Sequence, residues 1–243
     1  MKKLKRRLKM NNEEIEKKLG VIFHNKSLLK RAFTHRSYLN ENRGQNLQNN
    51  ERLEFLGDAV LELLISSELF YKYPDKAEGE LTGIRSALVR TESLAKESRK
   101  IKVGEYLLMS KGEEDSGGKD KDYLLANTFE AILGAMYLDM GFEECKKFVS
   151  RTLLEKLDDI VDNELFIDPK TKVQELIQAK YKVTPTYSII KEEGPDHDKY
   201  FTVALKVNKK NFTEGYGASK QKAEEDAAQA AIDLLESNDI SLN

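Results

Sequence analysis

At 243 residues, 40% of them hydrophobic and 34% charged, the chain is long enough for one large or two modest cored domains and excludes a disordered polyelectrolyte. Its 40 Lys and Arg against 42 Asp and Glu leave a net charge of −2, which neither demands nor forbids a nucleic-acid partner, because a local basic patch can coexist with an acidic remainder. Cys145 is the single cysteine, which excludes a disulfide framework or a cysteine zinc site and points to a reducing compartment, the cytoplasm. The opening MKKLKRRLKM is basic, and no apolar run of signal or spanning length follows it, so no membrane association is expected. Residues 1–12 read either as an RNA-contacting arm or as a solubilising tail.

Residues 13–157 read as mostly helical, with apolar positions at helical spacing through 15–23, 28–33, 53–70, 81–100, 124–138 and 145–157. Asn50 stands where an N-cap of the helix beginning NERLEFLGDAVLELL is expected. Pro74 and Gly79 interrupt the pattern, and GEEDSGGKD at 112–120 reads as a mobile loop. The acidic stretch 158–168 reads as a linker. Beyond Pro169 the pattern changes: 172–180 reads as a helix, 184–191, 200–207 and 210–216 as strands, and a last helix begins at Ser219. Residues 169–237 are therefore expected to form an α-β-β-β-α unit with Leu176, Ile177, Val203, Ala227 and Ala230 in its core.

Two helices carry acids among apolar residues. At about 100° per residue, Glu51, Glu54, Asp58 and Glu62 fall within an arc of roughly 80°, opposite Leu53, Leu56, Val60 and Leu64. Such an arc suits either an ordinary solvated face or one wall of a site. The stretch YLLANTFEAILGAMYLD carries Glu130 one turn after Asn127, and its Gly134 and Ala135 would permit close helix packing. If the two helices pack together, Glu54 and Asp58 could converge with Asn127 and Glu130 into an oxygen-only site suited to partly hydrated Mg²⁺. Periodicity supplies the faces and leaves the packing open.

NERLEFLGDAVL resembles the signature of the bacterial ribonuclease III family, which cuts double-stranded RNA. THRSYLNE at 34–41, EGELTGIRSALV at 78–89 and NTFEAILGAMYLD at 127–139 follow in that family's order, and DPKTKVQELIQ through GYGASKQKAEEDAAQAA is similar to its double-stranded-RNA-binding domain. The resemblance covers nearly the whole chain. It implies an all-α nuclease domain with the ribonuclease III-like helical fold (13–157), followed by an α+β double-stranded-RNA-binding domain (169–237), working as a homodimer.

Further roles follow from the resemblance. Glu54, Asp58, Asn127 and Glu130 would hold Mg²⁺, with Mn²⁺ as a substitute, and Asp58 and Glu130 would be catalytic. Glu51 would support the site from behind and Glu78 would lie near the cleft. Phe55 would insert into the partner subunit, while Thr34, His35 and Ser37 read as caps and packing contacts. Thr171, Gln174, Glu175, His197, Ser219, Lys220 and Lys222 would meet RNA. The implied activity is hydrolysis of both strands of double-stranded RNA, leaving 5′-phosphates and 3′-hydroxyls, in processing ribosomal and other structured RNA. The family pattern has Asp where this chain has Asn127, an oxygen ligand without negative charge. The alternative is a catalytically weakened or inactive double-stranded-RNA-binding protein.

Overall fold

The computed structural model describes residues 11–42, 47–195 and 198–237, so the basic segment 1–10 and His197 lie outside the described residues. The chain divides into two compact units, residues 1–166 and 167–243. Among the described residues no helix is long and apolar enough to cross a membrane.

The first unit is helical: α1 (Asn12–Leu19), α2 (Lys26–Ala32), α3 (Arg36–Glu41), α4 (Glu51–Lys72), α5 (Glu78–Val89), α6 (Thr91–Lys100), α7 (Lys111–Asp115), α8 (Asp122–Met140), α9 (Phe142–Thr152) and α10 (Leu157–Asp162). Its core is organised by α4 and α8, with Leu53, Leu61 and Ile65 of the former and Phe129, Ile132, Leu133 and Met136 of the latter all buried. α8 is enclosed along most of its length, which is why its sequence shows little polar face.

Where α4 and α8 cross, both helices present glycine. A Cβ on Gly57 would stand 1.7 Å from the Glu130 carbonyl oxygen, and one on Gly134 would stand 2.1 Å from that of Leu53. No side chain fits between the two backbones, so this pair of glycines fixes how closely the acid-bearing helices approach.

Several local expectations are corrected. Asn50 does not cap α4 through its side chain; it is buried, and its amide donates to the Ala32 carbonyl at 3.2 Å, tying the end of α2 to the start of α4. Gly79 does not break a helix but lies in the first turn of α5. Residues 112–120 are ordered into α7 and a 3-10 turn at Gly118–Asp120, because Lys121 binds Glu113 at 2.8 Å and Lys119 pairs with Glu114. The stretch 158–166, read as linker from its acidity, folds onto the first unit. Leu157 and Ile160 are buried, Asp158 pairs with Lys72 at 2.5 Å, and Phe166 packs against Gly83. Buried Glu97 of α6 reinforces this arrangement by pairing with both Lys100 and Lys156.

The second unit comprises α11 (Pro169–Tyr181), β1 (Thr186–Glu193), β2 (Tyr200–Val207), β3 (Lys210–Gly217) and α12 (Lys220–Glu236). The sheet is antiparallel in the order β1-β2-β3. α11 opens with Asp168 accepting from the Thr171 amide, followed by Pro169, and α12 opens with Ser219 accepting from the Lys222 amide. Val173, Ile177, Val203, Leu205 and Ala227 are buried where the helices meet the sheet. Leu176 and Ala230 are only half-buried; Ala228 and Ala231 take the inward positions on α12.

Candidate active site

α4 sets Glu51, Glu54 and Asp58 on successive turns of one side, and the glycine crossing brings them towards Asn127 and Glu130 of α8. Glu54 and Glu130 are half-buried, whereas Glu51 and Asp58 are exposed. The side chains sense one another. Burial, with the nearby Asp58 and Glu54 charges, pushes the Glu130 carboxyl up to about 8 from its ordinary 4.5. Burial also raises Glu54, with Glu51 and Asp58 adding to the rise and a hydrogen bond from the Asn127 side chain opposing it. A half-buried cluster of carboxylates with a perturbed member is the arrangement expected of a functional site.

The donor set is all oxygen and partly solvated, which fits a hard dication such as Mg²⁺. Among the described residues, no three His, Cys, Asp or Glu side chains are gathered tightly enough to hold a metal ion as they stand. Mutual repulsion of Glu54, Asp58 and Glu130 works against a tighter arrangement.

Beside these acids opens a cavity of about 400 Å³ lined by His35, Arg36, Glu51, Glu54, Tyr123 and Asn127 among others. His35 caps α3, and its Nδ1 lies 2.8 Å from the Ser37 hydroxyl, which in turn accepts the Ser110 amide at 2.9 Å. Burial holds the His35 imidazole below its ordinary value, and Arg36 adds to that shift. The backbone of Thr34 joins the same seam by bridging to Leu108. His35 and Ser37 thus line the cavity, and Thr34 is buried behind them.

The chain matches the Ribonuclease-III-like family model over residues 25–157 and the double-stranded RNA binding motif over residues 169–235. It is 47% identical to Ribonuclease 3 of Lactococcus lactis subsp. cremoris, across 90% of this chain and 95% of that protein. Ribonuclease 3 of Streptococcus agalactiae is also 47% identical, across 94% of this chain and the whole of the relative.

The chain belongs to the ribonuclease III family.

It is an endoribonuclease of that family, with a helical nuclease domain followed by an α+β RNA-binding domain. Among solved structures, the nuclease domain of ribonuclease III from Campylobacter jejuni is similar, with a TM-score of 0.55 and 43% identity across 60% of this chain and 97% of that one.

The remaining residues singled out from the sequence fall in distinct places in this ribonuclease III. Glu62, the fourth acid of the α4 arc, pairs with Arg85 at 2.9 Å. Glu78 begins α5 and accepts the Thr82 hydroxyl at 3.1 Å. Phe55 is 79% exposed on α4 despite its apolar neighbours. In the second unit, Thr171, Gln174 and Glu175 are exposed on α11. Lys220 lies 3.8 Å from Glu192 and over the Phe201 ring, while Lys222 is exposed in the first turn of α12.

Sequence reasoning missed Gly57 and Arg36. Gly57 had a signal: it stands in the i, i+4 row between Leu53 and Leu61, where a residue without a side chain marks close approach by another backbone. Arg36 had only its place within THRSYLNE, because its nearness to Glu51 depends on tertiary packing.

Proposed function

We propose that this chain hydrolyses phosphodiesters on both strands of double-stranded RNA in a Mg²⁺-dependent reaction, acting as a cytoplasmic homodimer in the processing of ribosomal and other structured RNA. The observation that carries this reading is the α4–α8 crossing, which sets Glu54, Asp58 and Glu130 within electrostatic range and raises Glu130 to about 8. Clustered acids of this kind repel an RNA phosphate unless cationic charge intervenes. Mg²⁺, or Mn²⁺ in its place, would supply that charge and the means to activate water. Glu54, Asp58 and Glu130 would hold it through their carboxylates and Asn127 through its neutral amide oxygen, with Glu51 supporting Glu54 from the exposed side. Asp58 and Glu130 carry the chemistry: water adds to phosphorus and the 3′ oxygen departs, leaving a 5′-phosphate and a 3′-hydroxyl. The exposed Phe55 seats in the second subunit, and Glu78 borders the cleft.

The RNA-binding unit reads duplex shape through α11 and the α12 N-terminus, where Lys220 and Lys222 stand beside free backbone amides. Thr171, Gln174, Glu175 and Ser219 complete that surface. Ending the chain after Phe166, which keeps Ile160 and Phe166 in place, should preserve cleavage at low salt and lose it more steeply than the full chain as salt rises. Filter binding and cleavage across a salt series check this division; equal affinities throughout would refute it.

Asn127→Asp tests the neutral position directly. Restoring a carboxylate should move the Mg²⁺ dependence of cleavage several-fold towards lower concentration, while duplex binding in Ca²⁺ changes much less. Titrations at two pH values separate this gain from added repulsion, which favours proton uptake over metal binding. Superimposable titrations at both values would remove residue 127 from the ligand set. An inert parent rescued by Asp would favour the reading in which Asn127 disables the site and leaves a double-stranded-RNA-binding protein.

A further inference from the structure

The cavity beside the acids has an unusual charge distribution. Glu51, Glu54 and Glu113 line it, and Arg36 is its only Lys or Arg among the described lining residues. Lys121 already pairs with Glu113, so a polyanion entering here meets the charge of Glu51 and Glu54 and needs a compensating cation.

Arg36 is available for that task. It is the first residue of α3, directly after the His35 cap, so its backbone is fixed while 73% of its side chain remains exposed. Its nearest ionic partner is Glu51, with Nη1 and Oε1 3.7 Å apart. That spacing exceeds the roughly 2.8 Å of a charge-assisted hydrogen bond, so the pairing leaves the guanidinium fork open. Glu51 also accepts the Asn49 amide at 2.9 Å, so it is held independently of Arg36. A guanidinium steered by a neighbouring carboxylate, with donors still free, is well suited to bind a phosphate oxygen pair.

We infer that this cavity is a subsite for the ribose-phosphate one nucleotide from the scissile bond, with Arg36 binding its phosphate. The assignment rests on Glu54, Asp58 and Glu130 marking the scissile position. Arg36 then acts in substrate positioning: it grips the strand next to the reacting phosphate and offsets the repulsion of the acid wall. His35, Ser37 and the Thr34–Leu108 bridge hold the start of α3, and so Arg36, in place.

A binding cycle on the full chain tests the subsite. Short RNA duplexes carry a single neutral methylphosphonate at successive phosphates, and affinity is measured in Ca²⁺; the cut position is mapped in Mg²⁺ with the unmodified duplex. For the parent, the modification at one of the two phosphates flanking the cut should weaken binding about tenfold. Arg36→Gln should weaken binding of the unmodified duplex by a similar factor and lose all further sensitivity at that same phosphate. Arg36→Lys should recover part of the loss, since it restores charge without the fork. Glu51→Gln, which removes the ionic neighbour of Arg36 together with its charge beside Glu54, should keep the methylphosphonate sensitivity. Multiplicative losses for Arg36→Gln and the modification at both flanking phosphates would overturn the subsite while leaving cleavage intact. Failure of the parent to cleave in Mg²⁺ would instead overturn the proposed function.

Discussion

Glu130→Gln should reduce Mg²⁺-dependent cleavage of a duplex about a thousandfold, equivalent to roughly 4 kcal/mol of lost transition-state stabilisation. The same change should make the metal-free protein more stable. The Glu130 carboxyl is held at about 8 by burial and by Asp58 and Glu54, against 4.5 when unperturbed. Between those two values the folded protein retains a proton that the unfolded chain has released, so folding stability falls as pH rises through this window. Below about 4.5 both states are protonated, and the penalty is absent. Gln cannot ionise, so it escapes the penalty; because solvent screens this half-buried carboxyl, the gain is about 2 kcal/mol at pH 8, well below the full value of the shift, with a rise in Tm of about 6 °C in EDTA. At pH 4.5 the parent and variant should melt together. Opposite movements of activity and stability distinguish a functional acid from a structural one. A variant that cleaves like the parent at limiting Mg²⁺, or melts lower than it in EDTA at pH 8, would refute the role given to Glu130.

Gly57→Ala should have the largest effect on the fold. The added Cβ would lie 1.7 Å from the Glu130 carbonyl oxygen and close to the Gly134 amide nitrogen at 2.8 Å. These neighbours are backbone atoms, so relief requires α4 and α8 to separate by more than an ångström. Overpacking of this kind should cost at least about 3 kcal/mol. Separation would also open the interval between Glu54 and Glu130, so surviving folded protein should need more Mg²⁺ for cleavage. Gly79→Ala is the control: a Cβ there meets nothing within 4 Å, and in the first turn of α5 it should be neutral or stabilise by about 0.5 kcal/mol. Urea denaturation and Mg²⁺ titration of both variants measure the difference. A Gly57→Ala protein within about 1 kcal/mol of the parent would contradict the close crossing.

The sequence by itself determined the elements and the identities of the acids. Helical periodicity marked α4 and α8, alternation and β-branched residues marked the three strands, and the resemblance named the family, because these signals lie within short windows. Composition misled where a few contacts outweighed an average. The acidic stretch after 157 hides Ile160 and Phe166, and the glycines of 112–120 hide the Lys121–Glu113 contact that orders them. Only the tertiary structure decided which acids meet. Glu62 has the same helical phase as Glu54 and Asp58, yet Arg85 from α5 takes it, whereas Glu130, 76 residues beyond Glu54, senses both Glu54 and Asp58. A helix fixes the direction in which a side chain leaves it; the charge it meets there depends on another helix, and here on two glycines that let the backbones approach.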